Sequence, residues 1–236
     1  MCAALLISAT TALAGNDLSL KDITSGKFAP KGIGSITALD DGETYAQVSK
    51  DGKKVVRYSF RTGKQTDVLF DVNNTIGQKI ESFEDYIMSP DGTKMLIQTN
   101  SHKIYRRSFT ADFYIYTIAS RKLEKLSDNG AQQTPVWSPD GKQIAFVRDN
   151  NIFLVKLLYD NAESQVTKDG KKNELINGIP DWVNEEEFGF NTAMTFNGDG
   201  SMICWIKYDE KDVREYSLQM FKGEYPEQKE YATYPG

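Results

Sequence analysis

Four stretches of the chain repeat one order of apolar and polar positions. They are "ALDDGETYAQVS" (38–49), "IMSPDGTKMLIQT" (87–99), "VWSPDGKQIAFVR" (136–148) and "TFNGDGSMICWIK" (195–207). Each opens on a short apolar run, turns through Asp-Gly and continues as an alternating strand. Asp-Gly between alternating runs signals a hairpin, because glycine accepts positive φ and aspartate bonds the turn backbone. In "KQIAFVR", Ile144 and Phe146 fall on one face, and Gln143 and Ala145 on the other. The turn glycines stand at 42, 92, 141 and 200, so the repeats are 50, 49 and 59 residues apart. A further strand is predicted in each unit, at 54–60, 112–118, 151–157 and 213–221, with outer strands such as "QTDVLF" (65–70). Three to four strands in roughly 50 residues is the arithmetic of a propeller blade. A β-sandwich would account for the alternation, but not for one turn repeated at near-constant spacing. The expected fold is therefore all-β: a β-propeller of four-stranded blades, with about four present as a partial ring of a larger propeller. No closing strand is evident at "TYPG". Helical periodicity is scarce; short helices are expected at "SLKDITSG" (19–26) and inside "NEEEF" (184–188).

The composition fits a globular chain. Of 236 residues, 39% are hydrophobic and 26% charged. A net charge of −5, with basic pairs scattered among acidic residues, argues against a nucleic-acid surface. Residues 1–14, "MCAALLISATTALA", carry no charge and end in Ala12-Leu13-Ala14. That is the pattern of a signal-peptide apolar region with a small-residue cleavage site, too short to span a bilayer. The predicted organisation is thus a signal peptide at 1–14, an N-terminal segment at 15–30 and a partial propeller at 31–236. A secreted or periplasmic location follows, with no membrane association after cleavage. Cleavage would leave Cys204 alone and exclude an intramolecular disulfide. Its apolar surroundings predict a buried thiol.

Catalytic chemistry is hard to find. No G-x-S-x-G nucleophile elbow occurs. The single histidine, His102, sits in the polar turn "TNSHKIY", far from the serine-and-carboxylate setting that a triad requires. One histidine and two cysteines cannot build a zinc site of the usual kind, and no glycine-rich phosphate loop precedes a helix. No catalytic residue, metal or cofactor is predicted within these residues.

One segment stands apart. "DWVNEEEFGF" (181–190) places Glu185, Glu186 and Glu187 between Trp182 and Phe188, in an insertion between the third and fourth repeats. Taken alone, such a run reads more readily as a solvated acidic loop than as a site. Anchored at both ends by Trp182 and Phe188 in apolar pockets, however, the carboxylates would be held in place. A fixed cluster of like charges gains from a cation such as a ligand ammonium. Consecutive residues cannot all face one point, so at least one of the three must look away.

"DWVNEEEF" closely resembles the D-W-V-Y-E-E-E-x motif of the dipeptidyl peptidase IV group of the prolyl oligopeptidase serine peptidase family. "YRRSFTADFYIY" (105–116) resembles that group's W-R-H-S-Y-T-A-S-Y-D-I-Y stretch, in the same order along the chain. "LSLKDITSGKF" and "YATYPG" resemble its N-terminal segment and its Y-P-x-A-G stretch. The resemblance implies an eight-bladed propeller joined to an α/β-hydrolase domain that carries the serine, aspartate and histidine. It implies release of dipeptides from free peptide N-termini, and a homodimer in the full-length form. By position, Glu186 and Glu187 would hold the substrate α-amine, and Arg106 the peptide carbonyl region. Asn184 replaces the motif's aromatic residue, and Arg107 replaces a histidine beside Arg106. The expected function is the propeller and amine-recognition part of a dipeptidyl peptidase, truncated before its hydrolase domain. A non-catalytic TolB-like propeller serving as a protein-binding scaffold is the alternative; the glutamate loop and the Arg106 stretch argue against it.

Overall fold

The structure, a computed structural model, describes residues 18–30, 32 and 34–214, together with the backbone of 219–221 and 226–228. The predicted signal peptide and "YATYPG" lie outside the described residues. The chain divides into two compact units, 1–35 and 36–236. In the first, α1 (Leu20–Thr24) is capped by Ser19, whose hydroxyl accepts from the Asp22 N–H, with Asp22 reaching back in a capping box.

The second unit is a partial β-propeller. Its first sheet runs β1 (Ile36–Ala38), β2 (Thr44–Val48), β3 (Lys54–Ser59) and β4 (Gln65–Asp71), each antiparallel to the next. Next come β5 (Ile76–Gly77), β6 (Asp85–Met88), β7 (Lys94–Lys103), β8 (Phe109–Thr117) and β9 (Lys122–Lys125). Strands β6 to β9 form the second blade, and β5 adds a parallel edge to β9. The third blade is β10 (Gln133–Trp137), β11 (Gln143–Arg148), β12 (Asn151–Lys156) and β13 (Ala162–Gln165).

The fourth repeat departs from the expected blade. It consists of two separate pairs, β14 (Leu175–Asn177) with β17 (Lys207–Asp209) and β15 (Met194–Phe196) with β16 (Ile203–Trp205). Helix α2 (Trp182–Phe188) occupies the connection between β14 and β15. The glutamate segment thus lies inside the fourth unit rather than before it. Of the strand predicted at 213–221, the described residues include β18 (Gln219–Phe221), paired with β19 (Pro226–Gln228); 215–218 lie outside them.

The repeated turns work through side-chain oxygens. In both Ser-Pro-Asp-Gly turns the serine hydroxyl donates to the aspartate, at 2.6 Å for Ser89–Asp91 and 2.6 Å for Ser138–Asp140. The same hydroxyl accepts the N–H that opens the next strand, at 2.9 Å from Lys94 and 2.9 Å from Gln143. Gly92 and Gly141 both sit at φ +66°, which only glycine adopts without strain. In the fourth repeat Asn197 replaces the serine, its side-chain oxygen accepting from Met202 N–H at 2.9 Å.

The blades stack through side chains that alternate with period two. Met95 and Ile97 of β7, with Tyr114 and Tyr116 of β8, pack against Ala46, Val55 and Phe70 of the first sheet. The intervening Leu96, Phe113 and Ile115 pack against Trp137, Ile144 and Phe146 of the third. Ala145, Val147 and Ile152 continue the stack onto Ile176, Met194 and Phe196. Both faces of the middle blades are therefore buried, and each large side chain so removed from water contributes about 1.5–3 kcal/mol. Cys204 is exposed on β16, contrary to the expected buried thiol: its neighbour Ile203 packs toward the third blade, and Cys204 takes the opposite face, which no buried cluster among the described residues covers.

Candidate functional site

Two features converge at the site: a long hairpin and a short helix. Strands β7 and β8 continue past a bulge between Thr99 and His102, pairing His102 with Thr110 and Lys103 with Phe109. The extension closes in a turn where Ile104 N–H donates to Ser108 carbonyl at 2.9 Å. Arg106 and Arg107 form the tip of that turn. Asp181 caps α2, its carboxylate accepting from the backbone and side-chain amides of Asn184, both at 2.8 Å. Asn184, where the resembling motif has an aromatic residue, therefore reinforces the cap. Gly189 ends the helix at φ +73°.

The helix separates the three glutamates, since successive residues turn by about 100°. Glu185 faces the protein interior and is 1% exposed. Its Oε1 accepts the backbone N–H of Arg107 at 2.7 Å and of Ser108 at 2.8 Å. Glu186 is partly exposed, and its Oε2 lies 2.9 Å from Arg106 Nε. Glu187 is exposed and makes no ion pair among the described residues. Two more contacts bind tip to helix. Asn191 Nδ2 donates to the Arg107 carbonyl at 3.1 Å, and the Arg107 guanidinium lies against Gly189.

Of the residues singled out in the sequence, Arg106 and Glu186 are brought into contact and Glu187 is their neighbour on the helix. Trp182 is half-buried and lines a cavity of about 260 Å³ with Tyr105, Ser108, Asp181, Glu185 and Glu210. Phe188 is not an anchor: it is 72% exposed. Six residues after Trp182 at about 100° each put it on a different helix face. The lower anchor is instead Glu185, whose buried bonds to the hairpin tip could not be seen in a run of like residues. In the same cavity Glu210 is buried, and desolvation, reinforced by the nearby Asp181 carboxylate, raises its pKa above the ordinary range.

The exposed Arg106–Glu186 pair contributes little to stability, about 0–1 kcal/mol. Its chemistry is more informative. With Nε on Glu186, the guanidinium keeps its Nη donors for a carbonyl oxygen, and Glu186 keeps a second oxygen for a cation. The tip thus offers acceptors for an ammonium group beside donors for a carbonyl.

Comparison with known proteins identifies the family of the chain. The family model for the dipeptidyl peptidase IV (DPP IV) N-terminal region matches residues 89–236. A probable dipeptidyl-aminopeptidase B of Emericella nidulans is 36% identical over 88% of this chain, and the chain covers 24% of that protein. A probable dipeptidyl peptidase 4 of Aspergillus fumigatus is 34% identical over 79% of this chain and 23% of its own length. The crystal structure of Porphyromonas gingivalis dipeptidyl peptidase 4 superposes with a TM-score of 0.85 at 36% identity, over 92% of this chain and 31% of that one. The chain spans about a quarter of the length of the curated relatives it matches.

Proposed function

The chain belongs to the dipeptidyl peptidase IV N-terminal region family, and from that premise we propose that it is the substrate-amine recognition part of a serine-type dipeptidyl peptidase. The observation that carries the reading is the Arg106–Glu186 pair at 2.9 Å, presented beside exposed Glu187 on a helix inserted into the propeller. Glu186 and Glu187 receive the α-ammonium of a peptide, and Arg106 donates to its first carbonyl region. An exopeptidase needs such a ruler, because a cut two residues in requires a set distance from amine clamp to nucleophile. On this reading a hydrolase domain would supply the nucleophile and base. The uncharged apolar leader at 1–14 supports action outside the cytoplasm.

The test is binding by the chain itself, followed by ligand-observed NMR with glycyl-proline and its N-acetyl derivative. The free-amine dipeptide should bind and the acetylated one should not. Glu186→Gln and Glu187→Gln each remove one charge-assisted bond worth about 1.5–3 kcal/mol, a loss of roughly 10- to 150-fold in affinity. Equal binding of both dipeptides, or wild-type affinity in both variants, would return the glutamate run to a solvated acidic surface.

A further inference from the structure

The clamp reading assigns no part to the first glutamate of the run, yet Glu185 is the one most firmly held. We infer that Glu185 is a positioning residue: it binds no substrate, and it locks the β7–β8 tip to α2 so that Arg106 and Glu186 meet. The inference rests on the amine-clamp reading of the same site.

The geometry is specific. A single carboxylate oxygen takes two consecutive backbone N–H groups, 2.7 Å from Arg107 and 2.8 Å from Ser108, across 78 and 77 residues of chain. Consecutive N–H groups turned to one point make an anion cradle, and bonds to a carboxylate are the stronger kind. The peptide so held directly follows Arg106. Asn191 ties the Arg107 carbonyl from the other side, at 3.1 Å. Arg106 needs that help, because its side chain is 74% exposed. A long exposed side chain spreads over many rotamers, and an exposed ion pair alone does not hold it. Fixing the backbone beside it confines where its guanidinium can reach. Glu185 is also poorly placed to meet a substrate amine, being 1% exposed with Oε1 already committed to two donors.

This division of roles makes a distinctive prediction. A neutral amide oxygen can still accept both N–H groups, so Glu185→Gln should preserve positioning. Glu185→Ala removes the acceptor. Glu185→Asp keeps the charge but shortens the reach, and serves if the alanine variant does not fold. Two readouts are taken on the 236-residue chain. One is affinity for glycyl-proline by ligand-observed NMR. The other is the Arg106 Nε–H signal in ¹⁵N spectra, which reports the pair to Glu186 without ligand; unchanged blade amides certify the fold.

Glu185→Ala and Glu185→Asp should lose about tenfold or more in affinity and expose the Arg106 Nε–H to rapid exchange, while Glu185→Gln stays within about threefold and keeps the signal. If Gln were as damaging to affinity as Ala while the Arg106 signal survived, Glu185 would be contacting the amine through its charge, and the inference would be wrong. Wild-type affinity and signal in the Ala and Asp variants would equally overturn it. If the wild type shows no preference for the free amine, the clamp reading fails by itself. The Arg106 signal then decides the positioning role: loss in Ala with retention in Gln upholds it, and persistence in Ala ends it.

Discussion

Replacing Glu163 with glutamine should destabilise the third blade by about 2 kcal/mol, and the cost should disappear in acid. Glu163 on β13 lies 2.6 Å from Arg148 Nη2, with side-chain exposures of 16% and 11%. Arg148 Nη1 donates to Ser127 Oγ at 2.9 Å, Ser127 donates in turn to Glu163, and Asn129 Nδ2 adds a bond to Glu163 at 3.2 Å. The guanidinium sits 4.0 Å from the centroid of Phe153 and 5.5 Å from that of Phe146. Exposed pairs contribute about 0–1 kcal/mol, whereas breaking a fully buried one costs about 3–5 kcal/mol. This pair lies nearer the buried limit. Glutamine retains a carbonyl acceptor and the aromatic stack, however, which places the loss at about 2 kcal/mol. With a urea slope of about 2 kcal/mol per M, the midpoint should fall by about 1 M. Burial alone would raise the Glu163 pKa, but the bonds from Arg148, Ser127 and Asn129 outweigh it, so the net shift is downward. A carboxyl depressed on folding adds stability above its unfolded pKa, about 4.3, and loses it as pH falls through the folded value. Urea midpoints of wild type and Glu163→Gln, read by tryptophan fluorescence at low protein concentration, should therefore differ most at pH 6–7, begin to approach one another below about pH 4 and converge only below the depressed folded pKa. Curves that stay parallel to the lowest pH at which the blades remain folded, or a difference under about 0.5 kcal/mol at neutral pH, would refute the reasoning.

Two further outcomes are expected. Gly189→Ala forces a side chain onto a residue at φ +73° and sets its Cβ 3.2 Å from Arg107 Nη2. It should cost about 1–2 kcal/mol in urea denaturation and weaken glycyl-proline binding by disturbing the tip; unchanged stability and affinity would contradict this. Ile36, Met202, Trp205 and Ile206 are 44%, 64%, 36% and 51% exposed on the first sheet and the fourth unit. The isolated chain should therefore associate as its concentration rises, and a monomer at all concentrations in sedimentation velocity would disprove it.

What the sequence revealed, it revealed locally. The Ser-Pro-Asp-Gly turns were legible because aspartate, serine and glycine act within five residues of one another, as the Ser89 and Ser138 bonds show. The alternation of Ile144 and Phe146 against Ala145 was legible because strand side chains follow a period of two whatever lies beyond them. One hairpin was overlooked: Gly52, at φ +68°, turns β2 into β3 through Ser49 and Asp51 with lysine in the proline position. Its signal was present in "SKDG" and was obscured by the neighbouring turn at Gly42. Cys204 and Phe188 were misplaced for a different reason. Their exposure depends on whether another element covers them, and apolar character alone does not say so. Resemblance pointed to Arg106 and Glu186 separately, and their contact is seen only in the fold, since nothing local links residues 80 positions apart.

The roles of the three glutamates depend on helix phase more than on their count. Asp181 fixes where α2 begins and Gly189 where it stops, so each position between them has a set direction. Glu185, four residues beyond the cap, turns inward to the hairpin amides; Glu186, about 100° further round, meets Arg106; Glu187 is left to solvent. Equal carboxylates thereby acquire unequal environments: one buried with an oxygen taken by two backbone donors, one shared with a guanidinium and one exposed without an ion pair among the described residues. On the proposed amine-clamp reading, a substrate ammonium would gain most from Glu186 and Glu187, which are less buried than Glu185. Their separation from the hairpin is in turn set by Glu185, whose Oε1 holds the tip. The Glu185 oxygen bonded to Arg107 and Ser108 stabilises the tip without any ligand, so a clamp of the proposed kind would be assembled before a peptide arrived and would leave less ordering to be done on binding.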